Sequence, residues 1–246
     1  MISKDLFDAC LREIGIALPE DAFAQFDAYA ALLAEYNEKV NLTAVTDPDG
    51  ITVKHFADSL YLLKYVNISE GALVCDVGTG AGFPGVCLKL ARPDLRLTLF
   101  DSVNKKLDFL RFLSKEIGFE ANIVHTRSEE AGQDPVFREK YDVATARAVS
   151  QLNKLAEYCV PLVKKGGLFA PLKAELAEEE RTCGFAAAKT LGAALRSEIR
   201  YPLPSGDKRE LLVFEKISQT PTKYPRVSAQ IAKTPLGCAK NRKNEI

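Results

Sequence analysis

The chain has 246 residues and a mass of 27.0 kDa, with 47% hydrophobic and 27% charged residues. That is enough to bury a core without disulfide or metal staples, and it excludes disorder, collagen and coiled coil for the whole. No apolar run reaches membrane-spanning length and nothing signal-like opens the chain, so the expected setting is cytoplasmic, with no membrane partner. Net charge is zero, 33 basic against 33 acidic residues, but unevenly spread. Residues 1–50 hold 3 basic and 10 acidic groups, residues 51–180 hold 17 and 18, and residues 181–246 hold 13 and 5. A basic final quarter on a neutral chain points to an anionic partner on one face, or to a solvated basic tail.

The first 68 residues read as a helical extension. Ser3 to Gly15 carries Leu6, Phe7, Cys10, Leu11 and Ile14 on one stripe. Pro19 is expected to open a second helix with an acidic first turn (Glu20, Asp21) and Phe23, Phe26, Ala30 and Leu33 inward. The turn Asp47-Pro48-Asp49-Gly50 leads to a third helix over roughly Val53 to Tyr65.

From residue 69 to 217 the pattern becomes strand–helix alternation. Strands are expected at 73–76, 97–100, 122–125, 141–145 and 167–171, with helices at 84–91, 103–117, after 145 through Cys159, and 175–189. This is the signature of βαβ units around a parallel sheet. Two last strands, 196–201 and 209–216, are joined by a loop too short for a crossover helix, so the final strand must run antiparallel. The fold class is therefore α/β: a Rossmann-like, seven-stranded, mostly parallel sheet with its last strand antiparallel. A basic tail, 218–246, follows. Six scattered cysteines show no C-x-x-C pair and no histidine at ligand spacing, so neither a metal site nor a disulfide framework is expected; Cys75 and Cys87 read as core.

The chemistry concentrates in Asp76-Val77-Gly78-Thr79-Gly80-Ala81-Gly82-Phe83-Pro84-Gly85, which joins the first strand to its helix. Gly78, Gly80 and Gly82 let the backbone turn and approach a ligand closely, at the strand ends where α/β sheets bind ligands. Asp101 ends the second strand, placed to accept both hydroxyls of a ribose. An adenosine-bearing cofactor follows. The dinucleotide fingerprint fits poorly: the third glycine comes one residue early, Phe83 takes the last position, and Pro84 removes an N–H that would hold pyrophosphate. A phosphate-free cofactor, S-adenosylmethionine, fits better, as does the terminal antiparallel strand.

Missing motifs narrow the acceptor. The tetrapeptide expected for exocyclic-amine methylation is absent; Thr145-Ala146-Arg147-Ala148 stands there. Cys159 lies on an apolar helix face rather than after a proline. A site without a nucleophile or general base suits guanine N7, which loses no proton on attack. The enzyme would then work by alignment and electrostatics.

The chain resembles the 16S ribosomal RNA guanine-N7 methyltransferases, the glucose-inhibited division protein B family, from about residue 36 to 180. The marks are Tyr36-Asn37 with Asn41-Leu42-Thr43, His55-x-x-Asp58-Ser59, the glycine run, Leu99-Phe100-Asp101-Ser102, Arg127-Ser128-Glu129-Glu130, Arg147-Ala148 and Leu172-Lys173. The tail segments Lys223-Tyr224-Pro225-Arg226 and Lys233-Thr234-Pro235-Leu236 add to them, and Ala174 departs from a usual glycine. The resemblance implies that Gly78 and Phe83 line the methionine and adenosine sides of the turn. It gives Asp101 the ribose, Ser128 and Glu129 the adenine edge, and Arg147 the methionine end or the target guanine. Arg147 is thus a candidate positioning residue, with no catalytic residue assigned outright.

His55 and Asp58 either cap the site or close the helical extension onto the sheet; the second reading is favoured. Asn37 and Asn41 read as loop-fixing residues. Lys165, Lys173, Arg200, Lys208, Arg209, Lys223 and Arg226 are the candidates for RNA phosphates. The implied partner is 16S rRNA or the small ribosomal subunit, acted on by a monomer. Competing readings are a small-molecule methyltransferase, a non-catalytic cofactor-binding RNA module and, disfavoured by Phe83-Pro84, an NAD(P)-linked oxidoreductase.

Overall fold

In the computed structural model, which describes residues 1–238, the helical and alternating regions share a continuous core. Seven strands form one sheet: β1 (Leu73–Val77), β2 (Arg96–Asp101), β3 (Asn122–His125), β4 (Tyr141–Arg147), β5 (Val163–Ala174), β6 (Ala193–Pro202) and β7 (Lys208–Lys216). Their order is β3-β2-β1-β4-β5-β7-β6, and β7 alone runs opposite to the other six strands. The chain builds outward from β1 to β3, then crosses back to place β4 on the other side of β1. That reversal makes a topological switch point between β1 and β4, at whose carboxyl ends open α/β sheets bind ligands.

The register lines up one edge of the sheet. Asp76 pairs with Thr145, Arg147 with Leu172, and Ala174 with Arg209. Because β7 is antiparallel, its beginning reaches the edge where the parallel strands end. Arg209 thereby joins Asp76, Asp101, Arg147 and Lys173 along one rim. Lys165 lies at the other end of β5, in an irregular stretch around Gly166, roughly 26 Å from Lys173 at strand rise.

The helices are α1 (Lys4–Ile14), α2 (Ala22–Asn37), α3 (Pro48–Gly50), α4 (Asp58–Tyr65), α5 (Gly85–Ala91), α6 (Asn104–Ile117), α7 (Ser128–Gln133), α8 (Leu152–Cys159), α9 (Glu178–Thr190) and α10 (Ser228–Lys233). A π-helical stretch, Ile51–Ala57, links α3 to α4. α1 is bounded as its sequence indicates, with Ser3 accepting from Leu6 N–H and Gly15 left-handed at its end.

Three expectations need correction. α2 starts at Ala22, not Pro19, because Pro19 to Asp21 forms a separate turn in which Ala22 N–H bonds Pro19 O. The third helix starts at Pro48, where Asp47 caps Gly50 N–H, so the expected turn is its first turn. α9 starts at Glu178 rather than Glu175, since β5 runs on to Ala174. In addition, α7 and α10 are two short helices that the sequence pattern does not mark strongly; Glu129 and Glu130 in the first turn of α7 are the signal that was there. The tail beyond residue 238, included in the 218–246 segment, lies outside the described residues.

Cys75 and Cys87 are core residues, and all cysteines among the described residues are free. No helix there is long and apolar enough to cross a membrane, and no metal-binding cluster occurs.

One buried charge ties the sheet to the tail. Lys216, at the end of β7, is 1% exposed. Its Nζ donates to Glu139 Oε1 at 2.9 Å, Val163 O at 3.0 Å and Val160 O at 3.1 Å, and Glu139 Oε1 also accepts from Thr220 N–H. Removing the ammonium leaves a carboxylate and two carbonyls short of a donor. Lys216→Met is expected to lower stability by about 3 kcal/mol, the low end for a broken buried pair because Glu139 is partly solvated. Urea unfolding monitored by circular dichroism measures it.

Candidate active site

The glycine turn is held from below by the N-terminal helices. Tyr29, fully buried on α2, donates its hydroxyl to Ala81 O at 2.6 Å and stacks on Phe83 at 5.3 Å between ring centres. At Gly82, φ is +105° and an added Cβ would lie 2.7 Å from the Tyr29 hydroxyl, so only glycine fits. Gly80 is the opposite case. Its φ is +59°, and an added Cβ would meet only a carbonyl at the 4.0 Å limit, so open space lies above this residue. Gly78 and Thr79 anchor the turn through N–H bonds to Phe100 O.

Two carboxylates flank the turn. Asp101 Oδ2 accepts from Gly80 N–H at 2.9 Å, and Oδ1 from Val103 N–H at 2.9 Å. Each oxygen has one backbone partner and a remaining lone pair, as a ribose diol requires. Asp76 is fully buried. Its Oδ2 accepts from Thr79 Oγ1 at 2.7 Å and Gly85 N–H at 2.9 Å, while its Oδ1 has no partner. Burial pushes its carboxyl up to about 6, against those hydrogen bonds. An orphaned carboxylate oxygen at a strand end is a feature that the sequence reading did not single out. Its signal was present, since Asp76 opens the glycine run. The start of α5 is a poor phosphate cradle: Pro84 has no N–H and that of Gly85 is spent on Asp76.

Arg147 ends β4 with its guanidinium engaged inside the protein. Nη1 donates to Asp58 Oδ2 and Lys54 O at 3.1 Å and to His55 O at 3.2 Å; Nη2 donates to His55 Nδ1 at 3.2 Å. The guanidinium also lies 4.9 Å from the Phe83 ring centre. Since arginine only donates, His55 Nδ1 is the acceptor and its Nε2–H points to Thr43 Oγ1, 2.7 Å away. Burial and Arg147 push His55 down to about 3, so it is neutral. Thr43 is in turn fixed by Asn37, whose side chain bonds Leu42 N–H, Thr43 N–H and Thr43 O. Asp58 meets a second cation, Arg209 Nε at 3.3 Å. His55 and Asp58 therefore close the helical region onto the sheet.

Beside this cluster lies a cleft of about 430 Å³, bounded by the π segment, the ends of β4 and β5 and the start of β7. Lys54, Arg147, Lys173 and Arg209 line it. Its carboxylates are engaged: Asp58 by two arginines, Glu180 by Lys173 Nζ at 2.9 Å, Glu175 by Lys208 at 3.2 Å. A larger, shallow depression at the opposite end of the strands, around Lys89 and Lys140, contains none of these groups.

The other candidates separate. Phe83 is buried with its ring against Tyr29, His55 and Arg147. Ser128 and Glu129 open α7, beyond β3, and Ser228 of the tail donates to Glu129. Arg200 and Lys208 are exposed next to the cleft. Lys223 is exposed on the tail beside Tyr224. Arg226 is bound to the fully buried Glu157 at 2.7 Å, away from the cleft residues. Lys165 sits at the far end of β5.

A similar fold occurs in a methyltransferase from Pyrococcus furiosus, with a TM-score of 0.54 at 15% identity over 78% of this chain and 98% of that one. It occurs too in the 16S rRNA (adenine(1408)-N(1))-methyltransferase of Catenulisporales acidiphilia, with a TM-score of 0.50 at 13% identity over 62% and 88%. These likenesses establish the fold. Sequence comparison goes further. The chain is 46% identical to the ribosomal RNA small subunit methyltransferase G of Lysinibacillus sphaericus over 96% of its length and 100% of that protein. It is 43% identical to the same-named protein of Exiguobacterium sibiricum over 96% and 100%. The family model for rRNA small subunit methyltransferase G matches residues 22–199, and the chain belongs to that family.

Proposed function

We propose that this protein methylates N7 of a guanine in 16S rRNA, with S-adenosylmethionine, the donor implied by family and fold, bound across the ends of β1 and β2. The observation that carries the acceptor is the composition of the cleft. Among its described lining residues every carboxylate faces a cation and the single histidine is neutral with both ring nitrogens bonded, so none is free to act as a base. Guanine N7 attacks through an existing lone pair and needs no proton removed. The cations along the rim suit an RNA phosphate backbone.

The residues around the turn fit the donor. When bound, it supplies a methyl group activated by a sulfonium. Asp101 holds the ribose hydroxyls through its two remaining lone pairs. Asp76 Oδ1, buried and unpartnered at the end of β1, would take the ammonium of the methionine part. Open space at Gly80 leaves room for the ligand to approach the backbone. Ser128 and Glu129 take the adenine edge. Arg147 acts as a positioning residue: pinned between Asp58, His55 and Phe83, it fixes the wall between cofactor crevice and cleft. Lys173 and Arg209 present charge to the target strand, with Arg200 and Lys208 on the outer rim. The decisive experiment incubates the protein with radiolabelled S-adenosylmethionine and undermethylated 16S rRNA or small subunits, then maps the labelled base. Label at guanine N7 is expected; label on another base or none rejects the proposal.

Asp101→Asn is expected to weaken S-adenosylhomocysteine binding roughly tenfold or more, the worth of a charge-assisted hydrogen bond, with RNA affinity unchanged; calorimetry and filter binding separate the two. Asp76 generates a pH signature of two opposite signs. Ligand affinity should fall about tenfold per pH unit below about 6, as the carboxyl protonates and loses its attraction for an ammonium. The ligand-free fold should instead lose stability as pH rises through about 6, because the folded protein holds that proton more tightly than the unfolded chain. Asp76→Asn should flatten both profiles, read by calorimetry and thermal unfolding across pH 5–8. The double change Arg200→Gln, Lys208→Gln should lower the slope of log affinity for rRNA against log salt by ~1.4, about 0.7 per lost phosphate contact. Arg209 is unsuited to that test because it also holds Asp58.

A further inference from the structure

The final segment, residues 218–238, is packed as a strap over α7 and α8. Arg138 donates to Thr220 O and Tyr224 O, Gln133 to Pro225 O, and Arg226 pairs with buried Glu157. Ser228 Oγ donates to Glu129, the residue read above as holding the adenine edge. The strap then continues past α8, where Asn153 Nδ2 donates to Leu236 O at 3.1 Å, and ends against α9.

At that end two thiols meet. Cys183, buried on α9, and the exposed Cys238 have their sulfurs 2.7 Å apart. Asn153 Nδ2 lies 3.2 Å from Cys238 Sγ and steadies it. Gly237, at φ +77°, makes the approach possible, since a Cβ there would collide with the Cys183 carbonyl. The pair is separated by 55 residues in sequence, so nothing in Cys spacing announces it. Cys10, Cys75, Cys87 and Cys159 are buried elsewhere. An exposed thiol beside a buried resolving partner is the layout of a redox-responsive site.

We propose that Cys183 and Cys238 form a reversible disulfide under a peroxide oxidant, fastening the strap across α7 and slowing ligand exchange at Glu129. The Cys238 thiolate attacks one oxygen of hydrogen peroxide; the O–O bond breaks, leaving a sulfenic acid on Cys238 and releasing hydroxide. Cys183 sulfur then attacks Cys238 sulfur. An S–S bond forms, the S–O bond breaks, and the hydroxyl leaves with the Cys183 proton as water. Two thiols are oxidised and one peroxide is reduced to two waters. Cys238 is exposed to the oxidant and Cys183 is buried, its thiol raised to about 11 chiefly by its hydrogen bond to Cys238 and by burial, so Cys238 is the first to react. The consequence for exchange rests on the assignment of the adenine edge to Glu129; the crosslink does not.

The test uses the full chain. After treatment with one to a few equivalents of hydrogen peroxide, thiol titration in denaturant and intact mass are expected to show two thiols and two hydrogens lost. Peptide mapping should join Cys183 to Cys238, and dithiothreitol should reverse the change. Cys238→Ser and Cys183→Ser should each abolish the crosslink. Over-oxidation of Cys238 with no crosslink, or equal thiol loss in Cys238→Ser, overturns the proposal. Dissociation of S-adenosylhomocysteine, followed by stopped-flow fluorescence of a labelled analogue, should be several-fold slower in oxidised than in reduced protein and unchanged by peroxide in Cys238→Ser. A crosslink with unchanged dissociation overturns the strap's effect on exchange. Absence of ligand binding in the reduced protein overturns it through the cofactor reading, while the crosslink stands or falls on the mass measurement.

Discussion

The pairing of Arg147 with Asp58 is the constraint around which this molecule is arranged. It joins the carboxyl end of β4 to the start of α4, buried between the helical region and the sheet. A buried ion pair is stable only when its remaining donors and acceptors are met. Here Lys54 O, His55 O and His55 Nδ1 meet those of Arg147, and Arg209 meets Asp58. The demand reaches into secondary structure. The two carbonyls that Arg147 takes, Lys54 O and His55 O, belong to the π-helical stretch. Through His55 and Thr43 the same network extends to the Asn37 loop, so one guanidinium sets the wall of the cleft.

That arrangement explains how a helical extension serves an α/β sheet. Tyr29 and Phe83 stack beneath the glycine turn, and the turn's backbone is bonded from one side by Tyr29 and from the other by Phe100 and Asp101. The turn is therefore preformed by packing, with one carboxylate oxygen of Asp76 left buried and unpartnered beneath it. Preorganisation of this kind lets a site act by alignment alone, which suits a methyl acceptor with its own lone pair.

The uneven charge along the chain resolves into two uses. Several cations of the basic final quarter are internal braces: Arg181 pairs with Glu210, Lys216 with Glu139, Arg226 with Glu157. Others face outward beside the cleft, and the antiparallel course of β7 brings them there. A parallel seventh strand would have carried Lys208 and Arg209 to the opposite edge, with Lys165. Sheet direction thus decides which positive charges stand beside the cleft.

Sequence alone determined the sheet class, the final antiparallel strand, the glycine turn with Asp101, and the family, because each is a local matter: a period, a loop too short for a crossover, a run of residues with special backbone freedom. Helix starts at Pro19 and Val53 were misjudged for the same reason, since turn residues next to a helix resemble its first turn. Tertiary structure decided what distance in the chain conceals. It separated Lys165 from Lys173 on one strand, turned Arg226 inward to Glu157, committed Arg147 to Asp58 and His55, and left Asp76 with an unpartnered oxygen. It also brought Cys183 to Cys238. A side chain's role depends on the groups that compete for its hydrogen bonds and on the water withheld from it, and both are fixed only when remote segments pack together.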